Sequence, residues 1–452
     1  MYQNQEVLQG WDAVMNLLES SVNAFFLDQW NRYTGASGQM PIYSIWCEGV
    51  LPFQDIWFTN VYQFDIILGP PLFQFTSGQN TVTVRQNIIS GVFKVGTMEV
   101  PQDFNPSNPG PIDPQKVTWT STTTIDSSAN AYISGTVELT QVTNIVAGAN
   151  TLILDFAKGA FTLNNLTVEG VKDASIVDQL KNWFATNEIR YVIASINFRN
   201  ITGQPALTPT SFVFNVITTN AGNTIVQLLI TTNGSAPSSR TINVNEPIPT
   251  ADNLTCSLMV SSRILYNDVL IAGFNNNGGS FSLVPVYPQT PSQIWLASIC
   301  PQFHFSGSFS FGSCCSRTTV TYSIYLGGIY SGSPYTGFHL SQHVTTTGNA
   351  PVTIDVSADY PVALSGSGMN QVLTITPGTP SVVVTGSVEN EIKSGLEQIL
   401  NNDLKNSMAG ISFTPVTCFA LETMLFPQNL IKMSQAQAPG DLLIVGTFQP
   451  YA

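Results

Sequence analysis

Most of this chain alternates between short runs that are typical of β-strands and clusters of residues that favour turns. Runs such as 132–139, 224–231 and 352–356 combine β-branched or aromatic residues with a period of two. Clusters of Gly, Asn and Pro separate these runs, and residues 101–114 contain five prolines, which predicts a long loop. The pattern predicts a chain that folds mainly into antiparallel sheets.

Three segments have the periodicity of an amphipathic helix instead, at about residues 7–30, 174–185 and 388–409. In each segment apolar residues recur every three or four positions, which places them on one face of a helix. Gly410 follows the last segment, where a helix-ending glycine is expected. The apolar faces of the first and last segments include Val14, Leu18, Val22, Phe25, Ile392, Leu396, Ile399 and Leu404.

The two kinds of segment together predict the fold class. A long amphipathic helix near each end of the chain must bury its apolar face, and the apolar face of a sheet is the available partner. We therefore expect an α+β, β-rich fold in which long curved antiparallel sheets wrap around long amphipathic helices. Each terminal helix is followed by a strand, and this repeated order of elements predicts two lobes, at residues 1–200 and 201–452.

Charge and composition exclude several classes of function. The 452 residues include 15 Lys and Arg against 28 Asp and Glu, so the formal charge is −13 and only 10% of residues are charged. Nucleic acids bind clustered basic residues and are therefore not an expected partner, and charge alone would not attract the chain to an anionic membrane. No apolar run reaches the roughly 18 residues of a membrane-spanning helix. The first ten residues lack a signal-peptide pattern, so we expect a soluble protein that is either released by an unconventional route or cytoplasmic before release.

Catalytic motifs are missing from the sequence. It contains no G-x-S-x-G nucleophile motif, no phosphate-binding G-K-[ST] loop and no H-E-x-x-H zinc motif. Its three histidines are His304, His339 and His343, and adjacent Cys314 and Cys315 lack the spacing of a zinc knuckle. We therefore expect a protein that is not an enzyme and that uses no metal and no cofactor.

Short motifs near both ends of the chain resemble those of one protein family. They are Gly10-Trp11-Asp12, Val22-Asn23, Leu425-Phe426-Pro427, Asn429-Leu430-Ile431, Ala438-Pro439-Gly440-Asp441-Leu442 and Gly446-Thr447-Phe448. Together with the late helix they resemble the clostridial forty-seven-kilodalton protein family of the tubular lipid-binding (TULIP) superfamily. The resemblance implies a highly curved sheet around a long helix. It also implies a gene beside those of a neurotoxin or an insecticidal toxin.

The resemblance leads to a first hypothesis about function. The chain would be a non-enzymatic toxin-cluster accessory protein that binds a lipid, another apolar ligand or proteins of the same gene cluster. The ligand would lie against the apolar helix faces defined above. Two alternatives remain open: an assembly scaffold of the same fold without a lipid, and a direct insecticidal or pore-forming β-rich toxin.

Overall fold

A computed structural model describes most of the chain, and the descriptions below concern those residues. They are 7–79, 81–144, 149–168, 171–197, 210–232, 242, 244, 246–249, 253–261, 264, 282–286, 296–300, 303–311, 318–326, 329–330, 337–345, 352–366, 371–408, 416–417, 431–437 and 441–448. The α-helices assigned there are α1 (Glu19–Thr34), α2 (Asp173–Thr186) and α3 (Asn390–Met408).

The strands of this part of the chain account for most of its regular structure. In chain order they are β1 (Ala13–Leu18), β2 (Met40–Phe53), β3 (Ile56–Phe75), β4 (Thr81–Val100), β5 (Thr118–Ile125), β6 (Tyr132–Asn144), β7 (Ala149–Asp155), β8 (Ala160–Asn164), β9 (Arg190–Asn197), β10 (Ser211–Thr218), β11 (Thr224–Thr231), β12 (Cys256–Val260), β13 (Ser282–Val286), β14 (Leu296–Cys300), β15 (Phe303–Phe311), β16 (Thr318–Leu326), β17 (Ile329–Tyr330), β18 (Gly337–Thr345), β19 (Val352–Ser365), β20 (Val372–Ile375), β21 (Ser381–Gly386), β22 (Val416–Thr417), β23 (Ile431–Gln437) and β24 (Leu442–Phe448).

The first sheet curls around α1. Its strands run in the order β2-β3-β4-β6-β7-β9, and β5 and β8 pair with β4 and β6 away from that path. Strands β3 and β4 are each 20 residues long, and their ladder contains register shifts near Leu68. Such irregularities increase the local twist and bend a long sheet. The inward side chains alternate with exposed ones, as expected for a sheet with one buried face.

The second sheet, called the interior sheet below, has central strands that are buried on both faces. Its order is β10-β11-β1-β12-β24-β23, and every neighbouring pair is antiparallel. The side chains of β12 are all buried, and so are nearly all of those in β1 and β11. One face belongs to the main apolar core, and the other meets a smaller core that includes Val7, Trp11 and Ile248. Continuous burial explains why these strands have apolar residues without strict alternation.

The third sheet is formed by later residues. Its order is β13-β14-β17-β18-β19-β20-β22, with β21 paired to β19, and β15 and β16 form a separate hairpin. Helix α3 packs against β21 and β15. Buried side chains of β19, β21 and α3 belong to the same main core as those of α1 and the curled sheet. The β-rich α+β class predicted from the sequence is therefore confirmed, with antiparallel sheets packed on helices.

The predicted bounds are confirmed for two helices and wrong for the first. Helices α2 and α3 match the segments predicted at 174–185 and 388–409 within two residues. The segment 7–30 was predicted as one helix, but residues 13–18 form strand β1 and the helix begins only at Glu19. Strand β1 is hydrogen-bonded on both sides, to β11 and β12, and both of its faces are buried. A central strand satisfies its backbone groups and buries its side chains at once, which outweighs a local helical periodicity.

The predicted division into lobes at residue 200 stays a prediction. Strand β1 precedes this boundary, whereas its two partners, β11 and β12, follow it. The interior sheet therefore combines strands from both predicted lobes.

Candidate functional site

The residues predicted to line an apolar site on the first helix separate into two groups. Val22 and Phe25 lie on α1 and are buried in the main core, 2% and 5% exposed. Val14 and Leu18 belong to β1, and they face the smaller core on the other side of the interior sheet. The prediction that all four share one helix face is therefore wrong, because their apparent period crosses a strand-to-helix boundary.

The corresponding residues on the last helix lie together. Ile392 and Leu396 are buried in the main core, and Ile399 packs against it while partly exposed. The side chain of Leu404 lies outside the described residues. Helix α3 thus presents an apolar face to the same core as α1, and a lining role for these residues remains a prediction.

Polar side chains of α1 form hydrogen bonds with the backbone at the edges of two strands of the curled sheet. The side-chain amide of Asn23 donates to the carbonyl of Phe73 at 2.8 Å, and the backbone N–H of Phe73 donates back to Asn23 Oδ1 at 2.8 Å. Gln29 forms the same pair of bonds with Val192, at 2.8 and 2.9 Å. The N–H of Phe75 donates to Glu19 Oε1 at 2.7 Å. The helix therefore supplies the hydrogen bonds that a further strand would supply.

Helix α3 docks on its sheet in a similar way. The backbone N–H of Val384, in β21, donates to Glu397 Oε1 at 2.9 Å. Buried Ile392, Leu396 and Leu400 lie on the apolar face of the same helix. Both terminal helices thus combine an apolar face with polar side chains that bind backbone groups of strands.

An aromatic cluster fills the space between α1 and the curled sheet. The ring centroids of Phe26 and Phe73 are 4.3 Å apart, and Tyr191 meets both rings edge-on at 5.5 and 5.2 Å. Phe156 lies 5.1 Å from the ring of Tyr191. Dense aromatic packing of this kind makes the interior below α1 strongly apolar.

The hydroxyl group of Tyr191 is an exception within this apolar cluster. The residue is fully buried, and its Oη has no hydrogen-bond partner among the described residues. Burial raises the pKa of Tyr191 well above its usual value, and the neighbouring Tyr33 raises it further. The hydroxyl is therefore neutral at physiological pH, and no described residue satisfies its donor or its acceptor. A polar group of an otherwise apolar ligand would satisfy both.

A depression lies elsewhere in the structure, and no residue of the aromatic cluster lines it. It has a volume of about 530 Å³ and lies between β2, α2 and the proline-rich loop predicted at 101–114. Trp46 Nε1 donates to Glu48 Oε1 at 3.0 Å along its wall, and Ser44 donates to Gln179 at 3.0 Å nearby. Its lining is Ile45, Trp46, Cys47, Glu48, Gly49, Pro106, Ser107, Pro109, Ser175, Asp178 and Gln179. This mixed polar lining differs from the apolar site that the sequence predicts.

No described group of three His, Cys, Asp or Glu side chains is arranged to hold a metal ion. The side chains of His304, His339 and His343, and all of Cys314 and Cys315, lie outside the described residues. Cys47 and Cys256 are buried, and burial raises the pKa of Cys47. Among the described helices, none is long and apolar enough to cross a membrane.

Sequence reasoning missed Tyr191 as a site residue. The residue lies in strand β9, and nothing in a strand pattern distinguishes a hydroxyl with a hydrogen-bond partner from one without. Asn23 was singled out only as part of a motif. Its side chain reaches a strand edge 50 residues away, which no local signal indicates.

Comparison with solved structures finds the same fold in P47. The structure of P47 from Clostridium botulinum A2 has a TM-score of 0.54 and 14% identity, over 97% of this chain and 98% of the other. P47 of Clostridium botulinum E1 has a TM-score of 0.54 and 12% identity, over 98% and 100% of the two chains. The predicted resemblance to the forty-seven-kilodalton proteins is therefore confirmed at the level of the fold.

Other comparisons add little to this likeness. A lipopolysaccharide binding protein has a TM-score of 0.34 and 11% identity over 97% of this chain, which is too low to carry an argument. No protein-family model matches the chain, and no curated protein sequence matches it.

Proposed function

We propose that this chain is a non-enzymatic accessory protein of a toxin gene cluster that binds an apolar ligand with one polar end. The observation that carries the proposal is the buried hydroxyl of Tyr191, which has no partner among the described residues. A buried hydroxyl without a hydrogen bond costs free energy, and a ligand that completes the bond removes that cost. The P47-like fold supports an accessory role of the TULIP type.

The surroundings of Tyr191 favour a fatty acid or an acyl lipid as the ligand class. Phe26, Phe73 and Phe156 surround the ring, and the predicted site residues Val22 and Phe25 belong to the same apolar core. An acyl chain matches such walls, and its carboxyl or ester oxygen would accept the hydrogen bond from the tyrosine. The ligand would enter by displacing aromatic side chains beneath α1.

Palmitate binding tests this function directly. We expect lipid extraction and native mass spectrometry of the purified protein to detect an acyl lipid, and the delipidated protein to bind palmitate. The variant Tyr191→Phe keeps the ring and removes the hydroxyl, so its affinity for palmitate should fall about tenfold, the equivalent of one hydrogen bond. Leu72→Ser, at an exposed position, is the matched control and should bind normally.

A protein that carries no lipid and binds no palmitate would contradict the proposal and favour the scaffold alternative. The close packing of α1 supports that alternative, because Phe26 and Trp30 are 0% and 1% exposed. Its test is co-purification with the products of neighbouring genes. Leakage of dye from vesicles would instead favour a direct pore-forming toxin.

A further inference from the structure

The hairpin of β2 and β3 extends beyond the rest of the curled sheet. Its last pair, Phe53 opposite Ile56, is joined by the two-residue turn Gln54-Asp55. Strand β4 pairs with β3 only from Trp57 onward, where Trp57 lies opposite Val100. Among the described residues, the tip, defined as residues 51–57, therefore has no third strand beside its final pair.

Three exposed apolar side chains flank the polar turn Gln54-Asp55 of this tip. Leu51, Phe53 and Ile56 are 55%, 65% and 41% exposed, and all residues from Leu51 to Ile56 are exposed. Exposed apolar residues scattered singly are common, but three within one hairpin turn form a patch. Such a patch marks a surface that meets either a membrane or another protein.

The charge of the chain segment that contains the tip disfavours an anionic partner. No Lys or Arg occurs between Arg32 and Arg85, whereas Glu48, Asp55 and Asp65 lie within that stretch. An anionic bilayer or an acidic protein would be repelled by these carboxylates. A bilayer of zwitterionic lipids carries no net charge, so these carboxylates do not repel it.

The size of the tip favours a membrane over a protein partner. A stable protein interface buries about 800 Å² on each side, whereas a single large aromatic side chain buries roughly 150–250 Å². Three partly exposed side chains on a narrow projection fall short of that area. Insertion into the bilayer interface requires no complementary surface, and aromatic side chains are favoured at that depth.

The backbone of the tip is also suited to shallow insertion. The pairs Leu51–Phe58, Pro52–Trp57 and Phe53–Ile56 belong to one antiparallel ladder, so the hairpin provides hydrogen bonds for part of its own backbone. Unpaired backbone groups are costly in a bilayer, which limits how deep such a hairpin goes. We propose that the tip is a membrane contact that inserts its three exposed apolar side chains into the interface of a zwitterionic bilayer.

Sedimentation with phosphatidylcholine vesicles tests the contact. We expect the full chain to bind these vesicles, and the double variant Leu51→Ser, Phe53→Ser to bind at least about tenfold less. Leu72→Ser is the matched control, since Leu72 is 53% exposed but lies at the other end of β3. It should bind like the unmodified chain. Circular dichroism and thermal unfolding verify that all three proteins are folded equally.

Three results would overturn the inference. They are no binding of the unmodified chain to phosphatidylcholine, equal binding of the double variant, and binding that requires anionic lipid and disappears in moderate salt. A change in molar mass by light scattering, without vesicle binding, would assign the tip to self-association.

The contact does not require an interior ligand, so the palmitate affinity of the double variant should be unchanged. Loss of vesicle binding and loss of palmitate binding are thus separate outcomes.

Discussion

At the scale of single residues, two aspartates of the terminal motifs bind backbone groups that are far away in the chain. The carboxylate of Asp441 accepts hydrogen bonds from the backbone N–H groups of Val7 and Leu8, at 2.6 and 2.9 Å. Asp12 accepts from the N–H of Thr232 at 2.7 Å. Both aspartates are buried, and they organise the turns that flank the interior sheet. These motif residues therefore have structural roles.

Removal of the Asp441 carboxylate should destabilise the fold. We expect Asp441→Ala to lower the free energy of unfolding by about 2–3 kcal/mol, because two buried N–H groups lose a charged acceptor. Asp441→Asn retains one acceptor oxygen and should lose less. Urea unfolding of the three proteins measures both effects. Equal stability of the alanine variant and the unmodified protein would contradict this role.

Removal of the Tyr191 hydroxyl should have the opposite effect. We expect Tyr191→Phe to raise the free energy of unfolding of the ligand-free protein by about 1 kcal/mol, because a buried hydroxyl without a partner is removed. Urea unfolding at neutral pH measures the change. A loss of stability would mean that this hydroxyl has a partner in the folded protein.

The same substitution should alter stability in alkaline solution. Burial raises the pKa of Tyr191 and of Tyr360 above the ordinary value of 10.0. Each tyrosine has a higher pKa in the folded state than in the unfolded state, so between these two pKa values the folded state binds more protons. The free energy of unfolding that this contributes is fully present below pH 10 and is lost as the pH rises through the folded-state pKa. We expect Tyr191→Phe to lose less stability than the unmodified protein above pH 10. If the free energies of unfolding of the two proteins fell equally above pH 10, the raised pKa of Tyr191 would be contradicted.

At the scale of elements, the two terminal helices contact their sheets through polar side chains as well as through apolar faces. Asn23 and Gln29 of α1 bind backbone groups of β3 and β9, and Glu397 of α3 binds β21. The sequence predicted α2 and α3 because their apolar stripes are uninterrupted. It did not predict where α1 begins, because the apolar residues of β1 continue into those of the helix.

Loss of the Asn23 side chain should loosen α1. We expect Asn23→Ala to lower the free energy of unfolding by about 2 kcal/mol, because the N–H and the carbonyl of Phe73 both lose their partner. Asn31→Ala is the control, because Asn31 is exposed on the same helix. Urea unfolding compares the two, and hydrogen exchange at Phe73 reports the local opening. Equal effects of the two substitutions would contradict the docking role.

At the scale of the whole molecule, the interior sheet joins distant parts of the chain. Strand β1 lies between β11 and β12, and β12 also pairs with β24 near the end of the described chain. The main apolar core likewise includes residues from Ala13 to Ile444. Because the two predicted lobes share a core and a sheet, we expect them to depend on each other for stability.

Separation of the predicted lobes tests this dependence. We expect residues 1–200 expressed alone to lack cooperative thermal unfolding, because β1 loses both of its partners. Co-expression with residues 201–452 should restore a single cooperative transition. Cooperative unfolding of the isolated first fragment would instead show an independent lobe.

The sequence by itself determined the β-rich class, the helices α2 and α3 and the P47-like fold, because these follow from local periodicity and short motifs. Only the tertiary structure decided that residues 13–18 form a strand, that Asp441 binds a turn 434 residues earlier, and that Tyr191 is buried without a described partner. Each of these depends on residues far away in the chain. A local pattern describes how a segment can bury its own side chains, whereas the partner that covers them is set by the packing of the whole molecule.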